Sequence, residues 1–542
     1  MSEQRTSVLV VGGAMSGLSG AVFLAWHGVR CLLVERHPDL LIHPRLRGIT
    51  PRSVELYRQV GLEPAIHANS FAQADQFQWV PVQAETLASE TYTPVEDDEE
   101  AEDTGFTDAS PCAFGPIDQD KLEILLRAKA EALGADVRFS TELISFEQDD
   151  SGVTALLRDR RSGAEDTVRA DYLIAADGFG SPIRQRLGIG TDGPGPFFHT
   201  ITVLIEADLT PALRGRRANI AYLQKPTPGT ILLAHDDVGR RWVFGTGYAP
   251  DRGQSLADFT DQRCIEFVRA AAGLPDVQVT LRPQIPGTNL KVLGFPIGAY
   301  VAQQYRAGRV FIVGDAAHIV PPTGGLGGNT GIQDTHNLAW KLAAVLKGQA
   351  GPGLLHTYQD ERRPTGLFTM GQALARAQAR MGLGGGEAPP LVDYSSIAFG
   401  YQYRSAAVLG AAPDTSPLRP AELKGQPGTR APHHTVSRDG QAISTIDLYG
   451  RNLVLLTGPD GGTWVAAAGR VAQELGLPID AYRCGADLTA PDGRDLAAAH
   501  GIGAQGALLV RPDGFVAWRR AAAPGGDPEA ELGRVLRAIL SR

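Results

Sequence analysis

Cysteine is scarce in this 542-residue chain, which contains only Cys31, Cys112, Cys264 and Cys484. The four lie far apart, and neither a CxxC pair nor a His/Cys cluster with metal-ligand spacing is present. The sequence therefore predicts no disulfide framework and no metal site. Scarce, scattered cysteines also fit a reducing cytoplasm, which is the expected location.

Long apolar runs and clusters of positive charge are missing as well. No apolar run reaches the ~20 residues that a membrane span needs. We expect no signal peptide, because the chain enters a strand-like pattern at once. The formal net charge of −9 and the pI near 5.8 argue against nucleic acid or a membrane as partner. The length predicts two to four domains.

Glycine, in contrast, is abundant, and its first cluster follows an N-terminal strand pattern. The apolar run Ser7–Val11 precedes the turn Gly12–Gly17, an apolar helix Leu18–His27 and a second strand Val29–Val34. Glu35 follows, 18 residues beyond Gly17. This order predicts a βαβ unit that binds a dinucleotide, with its pyrophosphate at the helix N-terminus and a ribose hydroxyl on the acid. An ordinary βαβ unit without a ligand is the alternative.

That turn departs from the usual fingerprint at one position, because Ala14 stands where the second glycine is expected. One methyl group then occupies the place where the backbone approaches the pyrophosphate. We expect a slightly displaced but working site, since the helix N-terminus remains.

A second glycine-rich segment follows the buried-type strand Val310–Val313. It reads Gly314-Asp315-Ala316-Ala317-His318 and continues through Pro321-Pro322 to Asn329, before a helix predicted from about Thr330 to Lys347. A carboxylate at the strand end can accept hydroxyl hydrogen bonds from a polyol chain. A helix N-terminus stabilises a developing anion. A flavin requires both features together.

A third segment, Asp171–Gly178, is an apolar strand that ends in Asp177-Gly178 and is followed by Ser181 and Arg184. Taken alone, Asp-Gly is more often a plain turn. It indicates a flavin site only together with the two other flavin-type segments.

With these three segments, the chain resembles the class A flavoprotein monooxygenases of the para-hydroxybenzoate hydroxylase type, over about residues 5–385. Within that family it is similar to the actinobacterial hydroxylases of aromatic polyketides. The residues that carry this likeness are Trp26–Val29, Pro44-Arg45 with Pro51-Arg52, Gln119–Glu123, Asn337–Leu342, and Phe399-Gly400-Tyr401 with Tyr403-Arg404-Ser405.

The resemblance implies an enzyme with non-covalent FAD, NADPH as co-substrate, and O2. It implies hydroxylation of a polycyclic aromatic polyketide through a flavin C4a-hydroperoxide, in antibiotic biosynthesis. NADPH rather than NADH follows only from the family. A homo-oligomer is a further expectation.

The spacing and the resemblance together select the residues for FAD and NADPH. Arg47 is a weaker candidate than Arg45 for the pyrophosphate and could be a surface charge. Asp177 is associated in the family with both FAD and NADPH. The predicted cofactor-binding residues are Gly12, Gly13, Ala14, Ser16 and Gly17 (pyrophosphate), Glu35 and Arg36 (adenosine end), Arg45 (pyrophosphate), Gln119 and Asp315 (ribityl chain), Asp177, and Pro322, Gly325, Gly327, Gly328 and Asn329 (flavin ring).

Candidates for catalysis are less clear. Tyr222 on a predicted strand and Arg380 beyond a long helix could orient or deprotonate a phenol. Each has a plainer interpretation, since a strand tyrosine often only packs and Arg380 could solvate a helix end. We expect His318 to be structural.

The predicted fold class is α/β, in which a Rossmann-like FAD-binding domain is interleaved with an antiparallel-sheet substrate domain. A C-terminal thioredoxin-like domain without CxxC follows; redox chemistry is not expected there, and packing or oligomer support is. The predicted boundaries are 1–75, 105–190 and 295–386 for the FAD domain, 76–104 and 191–294 for the substrate domain, 387–432 for a linker, and 433–542 for the last domain.

The predicted substrate-domain strands offer no evident pair of arginines for a carboxylate. They offer apolar and aromatic side chains instead, which favours a flat polycyclic ligand; these include Phe197, Phe198, Ile220, Tyr222, Leu232 and Trp242, with Phe295 nearby.

Three other functions remain open at this stage. Baeyer–Villiger insertion or oxidative ring rearrangement would use the same flavin chemistry on a similar substrate. A non-catalytic flavoprotein or redox sensor is a second alternative. A flavin-dependent halogenase is the weakest, because the Trp-x-Trp-x-Ile segment of those enzymes is absent.

Overall fold

The computed structural model describes residues 4–40, 46–72, 80–95, 105–235, 240–285, 288–382 and 389–542. Its helices are α1 (Met15–Trp26), α2 (Pro51–Gln59), α3 (Glu63–Ala68), α4 (Gly105–Ala109), α5 (Gln119–Ala132), α6 (Pro182–Arg186), α7 (Thr210–Leu213), α8 (Asp261–Ala272), α9 (Leu326–Leu346), α10 (Thr357–Met381), α11 (Tyr394–Phe399), α12 (Gly462–Leu475), α13 (Leu496–Ala499) and α14 (Pro528–Ile539).

The strands fall into four sheets. They are β1 (Gln4–Val11), β2 (Cys31–Glu35), β3 (Pro81–Ala84), β4 (Thr93–Pro94), β5 (Asp136–Phe139), β6 (Thr141–Asp149), β7 (Gly152–Asp159), β8 (Glu165–Ala175), β9 (Thr191–Glu206), β10 (Ile220–Leu223), β11 (Thr230–Ala234), β12 (Arg241–Tyr248), β13 (Thr280–Arg282), β14 (Val292–Ala302), β15 (Arg306–Ala307), β16 (Val310–Ile312), β17 (His318–Ile319), β18 (Thr435–Arg438), β19 (Gln441–Ser444), β20 (Leu453–Thr457), β21 (Ile479–Arg483), β22 (Ala507–Val510) and β23 (Val516–Arg520).

The first sheet has eight strands in the order β15-β16-β8-β1-β2-β5, and the β6–β7 hairpin extends it beside β8. Strands β16, β8, β1, β2 and β5 run parallel to one another, while β15 and β7 pair antiparallel with β16 and β8. Their apolar runs are buried because helices cover a parallel sheet on both faces. The carboxyl ends of β1, β8 and β16 therefore meet at one edge, where a doubly wound sheet binds its ligands.

The second sheet has nine strands, with the order β17-β14-β9-β12-β11-β10-β3-β4 and β13 beside β9. We call it the roof sheet. Helix α8 packs on its outer face with a core that includes Ala221, Leu223, Leu232, Trp242 and Phe244. The prediction that Leu232 and Trp242 line the ligand pocket is therefore wrong, since both are in this outer core.

The two sheets are interleaved in sequence, as the fold class predicted. The predicted boundary at residues 294 and 295 falls inside β14, which pairs with β9 from Val292 to Ala302 and so belongs to the roof sheet. The chain returns to the first sheet only at β15. The continuous pairing of β14 with β9 explains the difference.

The C-terminal region contains the β18–β19 hairpin and a four-stranded sheet in the order β21-β20-β22-β23. Helix α12 connects the parallel pair β20 and β21, while β22 and β23 are antiparallel additions. This is the predicted thioredoxin-like arrangement. Its core continues into the part of the chain that contains α9, because Trp340 and Leu354 pack in one cluster with Trp464 and Leu536.

Across the described part of the chain, no helix has both the length and the apolar character required to span a bilayer.

Candidate active site

The three glycine-rich segments converge at the carboxyl ends of β1, β8 and β16. A Cβ atom on Gly12 would lie 2.1 Å from the carbonyl oxygen of Ala176, one residue before Asp177. A Cβ atom on Gly314 would lie 2.4 Å from Oγ of Ser16. Contacts this close require glycine, so the segments that are distant in sequence form one continuous surface.

The turn before α1 is equally tight at the remaining glycines. A Cβ atom on Gly17 would lie 1.9 Å from the carbonyl oxygen of Gly12, and one on Gly13 would lie 2.6 Å from Cβ of Glu35. Ala14 is different, because it is exposed and extended (φ −87°, ψ −176°) at the N-cap of α1. Its methyl group therefore belongs to an exposed residue in ordinary extended backbone. No side chain caps α1 at Ala14, and no acid lies within its own first turn. A carboxylate from α5, that of Glu123, accepts a hydrogen bond from the Met15 N–H (3.0 Å).

Glu35, at the end of β2, is half-buried and supports this turn directly. Its carboxylate accepts a hydrogen bond from the Gly13 N–H (2.6 Å) and one from the His37 N–H (2.8 Å). Burial alone would raise the pKa of Glu35, but the hydrogen bonds from His37 and Gly13 hold it below the ordinary value. Arg36 is exposed, and its carbonyl oxygen accepts a hydrogen bond from Arg160 (3.3 Å).

Gln119, at the start of α5, is joined to the same turn through a buried carboxylate. Oε1 of Glu123 accepts hydrogen bonds from Nε2 of Gln119 (2.7 Å) and from the Met15 N–H (3.0 Å). Glu123 thus ties the first turn of α5 to the first turn of α1. The sequence motif contained Glu123, but its role as a link was not predicted.

Asp315 is exposed in a short 3-10 turn, Gly314–Ala316. The turn is fixed from below by Asp334, whose fully buried carboxylate accepts hydrogen bonds from the Gly314 N–H (3.1 Å) and Nε of Arg362 (2.8 Å). Nε2 of His318 lies 2.7 Å from the same carboxylate. His318 is thus buried within a supporting network, which places it apart from the exposed Asp315.

Although burial would raise the pKa of Asp334, His318 and Arg362 lower it below its ordinary value. The carboxylate therefore stays ionised and keeps its three contacts.

Helix α9 begins at Leu326, four residues earlier than predicted, which places Gly327, Gly328 and Asn329 in its first turn. Its N-cap Gly325 is left-handed (φ 62°), and neither a capping side chain nor an acid is present there. Gly325 and Pro322 are exposed, whereas Asn329 is buried. The N–H groups of this first turn are the donors that a ring anion would need.

The side chain of Asn329 has a structural contact of its own. Its Oδ1 accepts hydrogen bonds from the Thr50 N–H (2.9 Å) and from Oγ of Ser53 (2.7 Å), and its Nδ2 donates to the carbonyl oxygen of Gly325 (2.9 Å). Asn329 therefore anchors the loop to α2.

Asp177 uses its carboxylate within its own segment. It accepts hydrogen bonds from Oγ of Ser181 (2.6 Å) and from the Ile183 N–H (3.0 Å), and so it caps α6. Burial raises the pKa of Asp177. Nη1 of Arg184 donates to the carbonyl oxygen of Ala316 (2.9 Å), which joins this segment to the Asp315 turn.

Arg45 lies outside the described residues. Arg47 is not a surface charge: it is 7 % exposed, stacks on Phe71 at 4.1 Å, and donates from Nε to Asp118 (2.8 Å). The other oxygen of Asp118 lies 3.4 Å from Nδ1 of His235, beyond the end of β11. This triad joins the roof sheet to the N-cap of α5, beside Gln119, and the sequence did not indicate it.

The two candidate catalytic residues lie side by side. Nη1 of Arg380 is 3.5 Å from Oη of Tyr222, and both side chains are buried. Tyr222 alternates with Ala221 and Leu223, which belong to the outer core, so it points to the inner face of the roof sheet. A cavity of about 330 Å³ adjoins the pair, lined also by Gln83 and Gln378. A larger depression, about 510 Å³, lies on the C-terminal domain beside Trp518, away from these loops.

A second phenol, Tyr394, connects this pair to the flavin-type loop. Nη2 of Arg380 donates to Oη of Tyr394 (3.3 Å), and Arg376 stacks on the Tyr394 ring at 4.5 Å. A Cβ atom on Gly324 would lie 2.9 Å from the same hydroxyl. Tyr222, Arg380, Tyr394 and Gly324 therefore form a continuous row from the roof sheet to the start of α9. Sequence reasoning missed Tyr394, because no local pattern distinguishes it.

These features fit FAD. The glycine cradle before α1 suits a pyrophosphate, and the uncapped start of α9 suits a ring that becomes anionic. Comparison with known proteins agrees: the FAD binding domain family matches residues 5–372, and the aromatic-ring hydroxylase C-terminal family matches residues 424–542. The fold and site define an FAD-dependent monooxygenase. The chain belongs to the FAD-dependent aromatic-ring hydroxylases.

Two curated relatives and one solved structure illustrate the family. The tetracenomycin A2 monooxygenase-dioxygenase of Streptomyces glaucescens is 43 % identical over 567 residues, covering 100 % of this chain and 98 % of that protein. The 4-methyl-5-nitrocatechol 5-monooxygenase of a Burkholderia species is 41 % identical over 548 residues, covering 99 % and 97 %. The crystal structure of aklavinone-11 hydroxylase with FAD and aklavinone matches with a TM-score of 0.89 at 40 % identity, covering 100 % of both chains.

Proposed function

We propose that this FAD-dependent monooxygenase uses NADPH and O2 to hydroxylate a phenolic, polycyclic aromatic polyketide in antibiotic biosynthesis. The observation that carries the proposal is the row of Tyr222, Arg380, Tyr394 and Gly324, which joins an inner-face phenol and a buried cation to the start of α9. The names of the tetracenomycin and aklavinone relatives support the same substrate class. The four cysteines are free and buried, which fits a cytoplasmic enzyme.

For the cofactor, we propose a division of roles that follows the three segments. The first sheet would be the FAD-binding unit and the roof sheet the substrate unit, with the thioredoxin-like domain as a third. The turn Gly12–Gly17, with Ser16, would hold the pyrophosphate, and Glu35 with Arg36 the adenosine end. Gln119 and Asp315 would hold the ribityl chain, and the first turn of α9 the ring.

FAD, when bound, supplies the oxygen chemistry, and the protein supplies orientation and charge. Arg380 remains cationic at any accessible pH, so it stabilises a phenolate rather than acting as a base. Tyr222 presents a hydroxyl to the same region and can donate to a substrate oxygen. An electron-rich phenolate ring reacts faster with an electrophilic oxygen, which is why a cation beside the substrate oxygen favours hydroxylation.

The first test uses purified protein, NADPH and a panel of substrates. We expect a tetracyclic phenol to stimulate NADPH oxidation and to give a product with one added oxygen by mass spectrometry. The panel should include para-hydroxybenzoate and 4-methyl-5-nitrocatechol. Turnover of either single-ring compound, with no response to any tetracyclic phenol, would overturn the substrate class.

The second test addresses the pair. Tyr222→Phe removes one hydroxyl and keeps the ring, so FAD content should not change, while kcat for product formation should fall on the order of 100-fold. Arg380→Lys keeps the charge but loses the planar guanidinium, so kcat for product formation should fall by a similar factor. Tyr482→Phe, a half-buried tyrosine of the C-terminal domain, is the matched control. Unchanged kcat and KM in both site variants would reject the assignment.

A further inference from the structure

The C-terminal domain meets the first sheet through a buried cluster of charge at the turn between β22 and β23. Arg511 in this turn donates from Nη1 and Nη2 to the two oxygens of Glu361 on α10 (2.6 and 2.8 Å). It also donates from Nε to Asp513 (3.0 Å). All three side chains are within 2 % of complete burial. A bidentate pair between two domains fixes their relative position as well as their separation.

Helix α9 contributes the other members of the cluster. Nζ of Lys341 and Nδ2 of Asn337 each donate to Glu361 at 2.7 Å, and Asn337 also lies 3.2 Å from Asp513. Two cations thus face two carboxylates, and the fully buried set is neutral. Burial lowers the pKa of Lys341 to about 8, although Glu361 opposes that shift. Removing one member leaves an uncompensated charge in the core.

An aromatic contact runs beside this cluster and leads to the Asp315 turn. The guanidinium of Arg511 lies 5.4 Å from the centre of the Tyr403 ring, and Phe515 of the same turn stacks on Tyr403 with ring centres 4.0 Å apart. Oη of Tyr403 accepts a hydrogen bond from Nη1 of Arg362 (3.1 Å). Arg362 is the neighbour of Glu361 on α10.

Arg362 then connects to the Gly314–Ala316 turn and to the N-terminal part of α9. Its Nε donates to Asp334, which in turn accepts from the Gly314 N–H, and its Nη2 donates to the carbonyl oxygen of Thr330 (3.0 Å) in α9. Every step from Arg511 to Gly314 is therefore a direct contact between buried groups. A protein interior that is closely packed and hydrogen-bonded has little free volume, so a shift of one buried side chain displaces its neighbours. A change at Arg511 should therefore be felt at Gly314.

We propose that the β22–β23 turn of the C-terminal domain positions the FAD-binding loops, and that Arg511 is the positioning residue through Glu361, Tyr403 and Arg362. On this account the thioredoxin-like domain holds the cofactor loops in place through buried contacts and has no redox function. The inference rests on the proposed assignment of the Gly314–Ala316 turn to FAD.

The test uses the full-length chain and measures the FAD dissociation constant, the visible flavin spectrum and Tm together. Arg511→Met removes the charge and keeps much of the volume; we expect FAD binding at least tenfold weaker and a shifted flavin spectrum. Leu456→Ala is the control for a loss of domain stability, because Leu456 is buried in the apolar core of the C-terminal domain and is not a member of the charged cluster. It should lower Tm while FAD affinity stays within twofold.

Two further variants keep the proposal testable if Arg511→Met does not fold. Tyr403→Phe removes only the hydroxyl that binds Arg362 and should weaken FAD several-fold. The double variant Arg511→Met with Glu361→Gln should recover part of the lost affinity, since the two buried charges that remain, those of Lys341 and Asp513, are again equal and opposite. Equal loss of FAD affinity in Arg511→Met and Leu456→Ala at equal Tm would overturn the proposal, as would unchanged affinity in both Arg511→Met and Tyr403→Phe.

Asp315→Ala separates the two levels of the argument. If it leaves FAD affinity unchanged, the assignment of the turn to FAD fails. If it weakens FAD while the Arg511 and Tyr403 variants do not, the assignment stands and the positioning role fails.

Discussion

Asp315→Ala is the most direct perturbation of the proposed cofactor site. Asp315 is exposed in its 3-10 turn, and the turn itself is fixed by the buried Asp334, so the substitution should leave the fold intact. The loss is that of a charged acceptor for cofactor hydroxyls, about 1.5–3 kcal/mol. Because about 1.4 kcal/mol corresponds to a factor of ten, the FAD dissociation constant should rise roughly 10- to 150-fold.

The assay is a titration of the deflavinated protein with FAD, followed by the quenching of flavin fluorescence, with Tm recorded for each variant. Asp315→Asn keeps the shape and a neutral acceptor, so its effect should be intermediate. Asp251→Ala removes an exposed carboxylate from another 3-10 turn, Pro250–Arg252, and should change neither quantity. Wild-type FAD affinity in Asp315→Ala would refute the reasoning, and a large fall in Tm would show that Asp315 also supports the turn.

Four other predictions use the same preparations. Ala14→Gly should bind FAD as tightly as the parent or slightly more tightly, since the exposed methyl group of Ala14 makes no required contact; weaker binding would show that the turn depends on it. Cys484→Ser should leave turnover unchanged, because burial raises the pKa of that thiol to about 12 and keeps it unreactive; altered turnover would contradict this. Truncation after residue 432 should reduce solubility or alter assembly by exposing apolar surface such as Trp340; a soluble, fully active truncation would oppose it. Because the pKa of Asp334 is lowered in the folded protein, this carboxylate stabilises the fold fully above its ordinary pKa of 3.8, and the stabilisation is lost as pH falls through the lower folded value. FAD retention should therefore be constant from pH 5 to 8. Release of FAD in that range would contradict the role of Asp334 in holding the turn.

The parts of the fold that could be predicted are those whose signal is local. The βαβ turn, the Asp315 loop and the thioredoxin-like strands each show an apolar run followed by glycine, and the backbone requirement is visible in the sequence. The start of α9 was misplaced by four residues, because Gly327 and Gly328 resemble a loop although they form the first helical turn.

The face of a strand is harder to predict than the strand itself. Alternation separates Tyr222 from Ala221 and Leu223, but it does not say which set faces the cofactor half. Leu232 and Trp242 were assigned to the pocket for that reason. The packing of α8 against one face of the roof sheet shows which side chains are turned away from the pocket.

Buried charge was the main feature that the sequence concealed. Arg47 with Asp118, and Glu361 with Arg511, are separated by 71 and 150 residues and look like surface residues in a polar pattern. Charged side chains are usually exposed, so a sequence-based prediction places them in solvent unless a partner is visible nearby. Here the partners come from other elements, and the ion pairs connect the sheets to one another.

The geometry of Arg380 also bears on the chemistry of the substrate. Recognition of a carboxylate by arginine is usually bidentate and requires two parallel N–H groups of one guanidinium edge. Nη1 and Nη2 of Arg380 are instead directed at two phenol oxygens, those of Tyr222 and Tyr394. An arginine in this arrangement attracts a ligand oxygen by its charge and not by a bidentate pair of hydrogen bonds. It therefore suits a phenolate or quinone oxygen better than a benzoate carboxylate, which agrees with a polycyclic phenol as the proposed substrate.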